Sequence, residues 1–119
     1  MQTKTKVTLY QIIPELDTDR LMFQDLDAVQ AACGGRVPAE IYESVYHGDL
    51  EVAGPEDVYY IFNMDHPDGY RGRPMSVSDV VELTPTSGCS TFYFCNPVGH
   101  VQIEFEKWYA KNGAPFFYL

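Results

Sequence analysis

Basic side chains are scarce in this chain. Eight Lys and Arg stand against 17 Asp and Glu, so the formal net charge at pH 7 is −9. Nucleic-acid-binding proteins neutralise phosphates with Lys and Arg, and docking on anionic lipids needs basic clusters too. We therefore expect neither nucleic acid nor a membrane surface as a partner. The acidity favours a basic protein partner, or serves only solubility.

Long apolar runs are absent as well. No stretch approaches the ~20 residues of a membrane span. The N-terminal "MQTKTKVTLYQIIPEL" lacks the apolar segment and cleavage site of a signal peptide. These absences predict a cytoplasmic protein. A length of 119 residues, 45% of them hydrophobic, suits one domain spanning 1–119.

Cysteine and histidine are few and lack the spacing of metal ligands. Cys33, Cys89 and Cys95 are odd in number and form no C-x-x-C pair. If Cys89 and Cys95 share a strand, they lie roughly 20 Å apart, too far for a disulfide. Free thiols in a reducing compartment are expected. The three histidines are also far apart in sequence, so we expect no metal and no cofactor.

Periodicity predicts an α+β fold in a small single domain. We expect an antiparallel curved sheet with a C-terminal three-strand meander and two short helices. "LMF" at 21–23 is either a short strand or the start of a helix. The aromatic segment 106–119 is expected to dock on the body. The predicted strands are 6–13, 40–50, 76–85, 90–95 and 101–106, and the predicted helices are 25–35 and 54–63.

Local signals mark the ends and faces of these elements. Asp25 can cap the first helix, and Gly34 and Gly35 stop it. Alternation in the strand 40–50 places Tyr42 and Tyr46 on one aromatic face.

The connection between the second helix and the meander contains the most unusual residues. "FNMDHPDGYRGRPMSVSDVV" at 62–81 concentrates Asn, Asp, His, Arg and Ser. We predict a structural clasp, meaning a loop held by its own hydrogen bonds. In it Asn63 ends the helix in a left-handed cap, Asp65 and Asp79 accept backbone N–H bonds, and the strand begins at about Val77. The candidate clasp or binding residues are Asn63, Asp65, His66, Asp68, Arg71, Arg73, Ser76, Ser78 and Asp79.

Two functional interpretations of this loop stay open. His66 could act as a general base, oriented by Asp65 or Asp79, with a serine nucleophile at 76 or 78. The nucleophile-elbow pattern G-x-S-x-G is missing, however. Alternatively, Arg71 and Arg73 could recognise a carboxylate or phosphate on a partner.

The same stretch resembles the hallmark of the YodL-like domain family. The resemblance extends upstream to "LMFQDLDAVQAA" and "IYESVYHGDL" and downstream to "YFCNPVGHVQIEF", covering roughly residues 7 to 105. Tyr70 and Arg73 depart from the family, which often has Phe and His there. The matching positions are Phe62, Asn63, Asp65, His66, Pro67, Gly72, Ser76, Ser78, Asp79, Val80 and Val81.

The resemblance implies a small α+β protein of bacterial mobile elements, sometimes fused to antirestriction or conjugation-associated proteins. It names no activity. We therefore expect a non-catalytic protein-interaction module rather than an enzyme, with an unknown protein partner and an open oligomeric state. The alternatives are an acidic mimic of DNA acting against restriction or defence enzymes, and a small hydrolase using His66.

Overall fold

A single six-stranded sheet organises the chain. The computed structural model describes residues 4–113, with strand order β5-β4-β3-β1-β2-β6. All neighbours are antiparallel except β2 and β6, which are parallel. The α+β fold is thus confirmed. The elements are β1 Thr5–Ile12, α1 Leu26–Ala32, β2 Tyr42–Leu50, α2 Pro55–Met64, β3 Val80–Thr84, β4 Thr91–Cys95, β5 His100–Ile103 and β6 Lys111–Asn112.

The predicted meander is present as β3, β4 and β5. Strand β3 begins at Val80, later than the predicted Val77. The reason is local, because Ser78 has a positive φ of 82° and the Asp79 N–H donates to the Ser76 carbonyl at 3.1 Å. Residues 76–79 therefore form a turn, and a β-ladder cannot start inside it.

Residues 21–23 form neither a strand nor the start of a helix, so that prediction is wrong. The carboxylate of Asp17 accepts the backbone N–H groups of Leu21 and Met22 at 2.7 and 3.0 Å. Phe23 then adopts a positive φ of 70°. The N–H groups that a strand would use for pairing are thus already bonded to the Asp17 side chain, so this segment cannot join the sheet.

Both predicted helices are confirmed. The Asp25 side chain caps α1 by accepting the Ala28 N–H at 2.9 Å, and Gly34 and Gly35 follow the helix with positive φ. Helix α2 starts at Pro55, where the missing N–H costs no helical bond. No helix within residues 4–113 has the length and apolarity needed to cross a membrane.

The two helices cover opposite faces of the sheet. On the α1 face, Leu26 and Val29 pack in one cluster with Ile12 and Phe94. On the α2 face, the second cluster holds the helix residues Val58 and Phe62 against strand residues. The buried strand residues of that second cluster are Val7, Leu9, Tyr46, Val81, Leu83 and Cys95.

A β-bulge corrects the predicted aromatic face of β2. Leu9 pairs with Tyr46 and Tyr10 pairs with Ser44, so the register passes over Val45. The extra residue interrupts the alternation of sides. Tyr42 therefore lies in the α1-face cluster, whereas Tyr46 lies in the α2-face cluster.

The segment after β5 returns along the sheet, but its first aromatic rings do not dock. Lys107 Nζ lies 2.8 Å from the buried Glu82 carboxylate, and β6 pairs with β2. Trp108 is 71% exposed and Tyr109 56%. These two rings are exposed although Ala110 packs against the α1-face cluster, and residues 114–119, which the docking prediction also covers, lie outside the described residues.

Phe105 joins the α1-face cluster through three aromatic contacts. Its ring centroid lies 5.0 Å from that of Tyr10, 5.3 Å from Tyr42 and 5.6 Å from Phe92. We expect Phe105→Ala to lower the free energy of unfolding by about 3–5 kcal/mol, because it leaves a cavity among these rings. Urea denaturation followed by circular dichroism measures it. The control Tyr109→Ala removes an exposed ring and should cost under about 0.5 kcal/mol; equal losses in both variants would contradict this packing.

Candidate functional site

The connection between α2 and β3, residues 65–79, is organised around the buried carboxylate of Asp79. Asp79 is 2% exposed. One of its oxygens accepts the Ser76 N–H and the Gln11 side-chain amide, each at 2.9 Å. As predicted, Asp79 accepts a backbone N–H at the end of the loop.

Gln11 is the residue that sequence reasoning missed. Its side-chain carbonyl accepts the Arg73 N–H at 3.1 Å, and its amide nitrogen donates to the Arg73 carbonyl at 2.9 Å. The side chain thus pairs with the backbone of Arg73 as a neighbouring strand would. The available signal was a single polar residue inside the apolar run of β1, because a buried Gln needs partners for its amide.

Ser78 is fully engaged by other parts of the chain. Its hydroxyl accepts the Phe23 N–H at 3.0 Å, and its carbonyl accepts the Tyr42 hydroxyl at 2.6 Å. Its own N–H donates to the Cys95 carbonyl at 2.9 Å. The residue is completely buried. It therefore ties the 21–23 turn and β2 to the start of β3.

Asn63 fastens the loop from the helix side, although its predicted role as a left-handed cap is wrong. Helix α2 continues to Met64, with Asp65 as the C-cap residue at φ −157°. From inside the helix, the Asn63 amide donates to the Met75 carbonyl at 3.0 Å and to Tyr59 at 2.8 Å. The predicted acceptor role of Asp65 is also wrong, since within residues 4–113 only its backbone N–H is bonded, to Ile61.

The two arginines of the loop differ in their environment. The Arg73 guanidinium donates to the Ile12 carbonyl at 3.0 Å, and the Tyr70 hydroxyl donates to the Arg73 carbonyl at 2.6 Å. Both residues that depart from the family pattern are thus used in structural bonds. Arg71 and Asp68 are exposed.

His66 lies on the surface, away from the serine and aspartate that hydrolysis would require. Its Nδ1 is 3.3 Å from the carbonyl of Pro67, and its ring packs against Tyr70 at 5.8 Å. Ser78 and Asp79 are buried and bonded elsewhere, and the Ser76 hydroxyl donates to Pro74 at 3.0 Å. The predicted residues are close in sequence, but the described contacts do not assemble a catalytic triad.

Burial sets the ionisation of Asp79. Removal from water raises the pKa of its carboxyl from 3.8 to about 7. The N–H of Ser76, the amide of Gln11 and the charge of Arg73 oppose this shift without reversing it. The clasp is therefore most stable when this carboxyl is protonated.

The outer surface of α2 carries exposed aromatic and acidic side chains. Tyr60 is 63% exposed and Met64 70%, one helical turn apart. Glu56 precedes Tyr60 by one helical turn, and Asp57 is next to Glu56 in the sequence. We call Glu56, Asp57, Tyr59, Tyr60 and Met64 the α2 surface.

A pocket of about 270 Å³ opens beside the α2 surface, between the helix and the turn joining β4 to β5. Tyr59, Val77, Pro97 and His100 are among its lining residues. The His100 side chain is 5% exposed, and neither of its ring nitrogens has a hydrogen-bond partner within residues 4–113. Its Nδ1 lies 3.4 Å from a Glu56 carboxylate oxygen.

The fold and the clasp define the class of this protein. It is a small α+β domain in which the most distinctive stretch of the sequence stabilises the structure from within. The family model of the YodL-like domain matches residues 6–105. The chain therefore belongs to the YodL-like domain family, as its hallmark residues indicated. No curated protein and no solved structure matches it.

The clasp predicts unequal effects for two charged residues of the same loop. Asp79→Ala should lower the free energy of unfolding by about 1–3 kcal/mol, because buried donors on Ser76 and Gln11 lose their acceptor. Arg71→Ala, an exposed change, should cost under about 0.5 kcal/mol. Thermal and urea melts compare them. Equal stability of the two variants, with partner binding lost only in Asp79→Ala, would show that Asp79 serves recognition instead.

The ionisation of Asp79 predicts a pH dependence. Between about 4 and about 7 the folded state holds a proton that the unfolded state has lost, so stability from this group falls as pH rises. The stabilising contribution of Asp79 is fully present below pH about 4 and is lost as the pH rises through about 7. Asp79→Asn keeps an oxygen acceptor but cannot titrate. The unfolding free energy of the wild type relative to Asp79→Asn should therefore fall over this window; a flat or rising difference contradicts the raised pKa.

Proposed function

We propose that this domain is a non-catalytic protein-interaction module that binds a basic partner through the α2 surface. The proposal depends on a difference between the hallmark residues of the loop and helix α2. Most polar residues of the family hallmark form hydrogen bonds within the protein that hold the loop in place. Large apolar side chains, in contrast, remain exposed on α2. Exposed apolar groups rimmed by charge are typical of interaction surfaces.

The chemistry of the α2 surface favours an Arg-rich or Lys-rich segment. The rings of Tyr59 and Tyr60 offer faces for cation–π contact. The carboxylates of Glu56 and Asp57 supply the opposite charge on the same helix. A protein of net charge −9 also steers a basic partner toward itself.

The neighbouring pocket supplies a place for an anchoring side chain. Its wall combines the apolar surface of Val77 and Pro97 with the imidazole of His100. Because Nε2 of His100 has neither a hydrogen bond nor an ion-pair contact within the described chain, a polar group of a partner that reached this nitrogen would remove an existing cost. A partner residue with an apolar stem and a polar end fits this wall.

The cellular setting of the proposal comes from the family resemblance. On that basis the proposal extends to a domain that acts in the cytoplasm of a bacterium, on behalf of a mobile element. The three cysteines are free thiols, which agrees with a reducing compartment. Two of the acids, Asp79 and Glu82, are buried and thus unavailable to a mimic of DNA, and no described contact joins His66 to a catalytic serine or aspartate.

Affinity purification from a bacterial host of the element tests the proposal. The wild-type domain should retain a basic protein, and Tyr60→Ala combined with Met64→Ala should reduce its recovery at least about tenfold, since central exposed side chains dominate binding energy. The interaction should then be reproduced with purified components by calorimetry, and should weaken as salt increases.

The matched control is Tyr109→Ala, which removes an equally exposed ring far from α2 in the chain. It should bind as well as the wild type. Recovery that is equal in all three proteins, or a partner that proves acidic, would contradict the assignment of the α2 surface.

A further inference from the structure

A second concave site lies on the opposite side of the sheet from α2. Where α1 does not cover the α1 face, a cleft of about 630 Å³ opens above Thr8 of β1 and Glu82 of β3, which pair across the two strands. The returning segment that contains Lys107 and Trp108 forms its other wall. We call this the lysine cleft.

The lysine cleft collects basic residues in an otherwise acidic protein. The chain has four lysines, and three of them, Lys6, Lys107 and Lys111, line this cleft. Glu82 is the one carboxylate among the lining residues. Positive charge is thus concentrated where the rest of the surface is negative, and it comes from both ends of the described chain.

The single carboxylate of the cleft is already neutralised. Glu82 is 4% exposed. One oxygen accepts the Tyr10 hydroxyl at 3.0 Å and the other pairs with Lys107 Nζ at 2.8 Å. This contact fixes Lys107 at the cleft wall.

Lys6 and Lys111 are the two remaining cations. Within residues 4–113 neither takes part in an ion pair. Asp49 stands opposite Lys6 and Glu43 opposite Lys111 in the strand registers, but neither acid lines the cleft. Within the described part of the chain, neither ammonium group therefore has an ion-pair partner that a ligand would have to displace.

Hydroxyl groups line the same cleft as these cations. Thr8 Oγ1 lies 2.7 Å from His47 Nδ1, and Thr84 Oγ1 lies 2.6 Å from Ser90 Oγ. Ser44 also lines the cleft, and its hydroxyl donates to Asn112 Oδ1 at 3.0 Å. Hydroxyl donors next to lysines suit a tetrahedral oxyanion, since Lys binds phosphate as a point charge, whereas planar carboxylates are favoured by the fork of Arg.

We propose that the lysine cleft binds the phosphate group of a small molecule, with Lys6 and Lys111 as the charged contacts and Trp108 at the rim. Lys107, held by Glu82, completes the positive wall. The exposed indole offers a flat face on which a planar or apolar body attached to the phosphate can pack. The site is separate from the α2 surface, so it can operate whether or not that surface binds a protein.

Trp108 makes a direct test possible because it is the single tryptophan of the chain. Its fluorescence is recorded while inorganic phosphate, then adenosine monophosphate, is added to the full chain. Potassium chloride and potassium acetate at matched ionic strength serve as reference titrations. Calorimetry on the same samples detects binding that does not alter the indole.

The expected result is a saturable signal with phosphate and a tighter one with adenosine monophosphate. Lys6→Gln combined with Lys111→Gln should weaken both at least about tenfold, because two favourable charge contacts are lost. Arg71→Gln, which removes one exposed charge outside the cleft, should bind like the wild type, and so should Tyr60→Ala.

Three results would overturn the proposal. The first is the lack of a saturable response in both fluorescence and calorimetry. The second is an equal response to chloride, which would show a general salt effect. The third is unchanged binding in the Lys6→Gln, Lys111→Gln protein. A response as strong to acetate as to phosphate would replace the phosphate by a carboxylate and reject the ligand class proposed here.

Discussion

The contact between Gln11 and Asp79 is the constraint on which the rest of the structure depends. Pairing of β1 with β3 ends at Tyr10 and Val80, and Gln11 is the next residue along the central strand. Beyond that point its side chain replaces the ladder, holding the backbone of Arg73 and the carboxylate of Asp79 together. These bonds thereby hold the 15-residue connection between α2 and β3 in a single conformation.

Elements with strong local signals were predictable from the sequence. The capping carboxylate of Asp25 and the prolines and glycines at helix ends depend on neighbours in the chain, so they can be recognised there. The 21–23 turn and the bulge at Val45, in contrast, could not be predicted from the sequence. The first depends on Asp17 capturing two amides, and the second on how two packed clusters share one strand.

The candidate site shows the same division. The acceptor role of Asp79 followed from its residue type and place, but its partner Gln11 lies 68 positions away and no local pattern points to it. His66 and Arg71 looked functional because they are polar and close in sequence to serines, yet the fold spreads them over the surface. The lysine cleft was invisible for a related reason, since its cations come from residues about a hundred positions apart and meet only across the sheet.

The bulge in β2 makes chain length, rather than side-chain identity, the critical variable in that strand. Val45 is the residue passed over in the pairing, with Ser44 and Tyr46 on either side of it. Removing any one residue here would restore regular alternation and send either Tyr42 or Tyr46 out of its cluster. Relatives should therefore vary in loop lengths elsewhere, while the spacing between the two tyrosines stays at four residues.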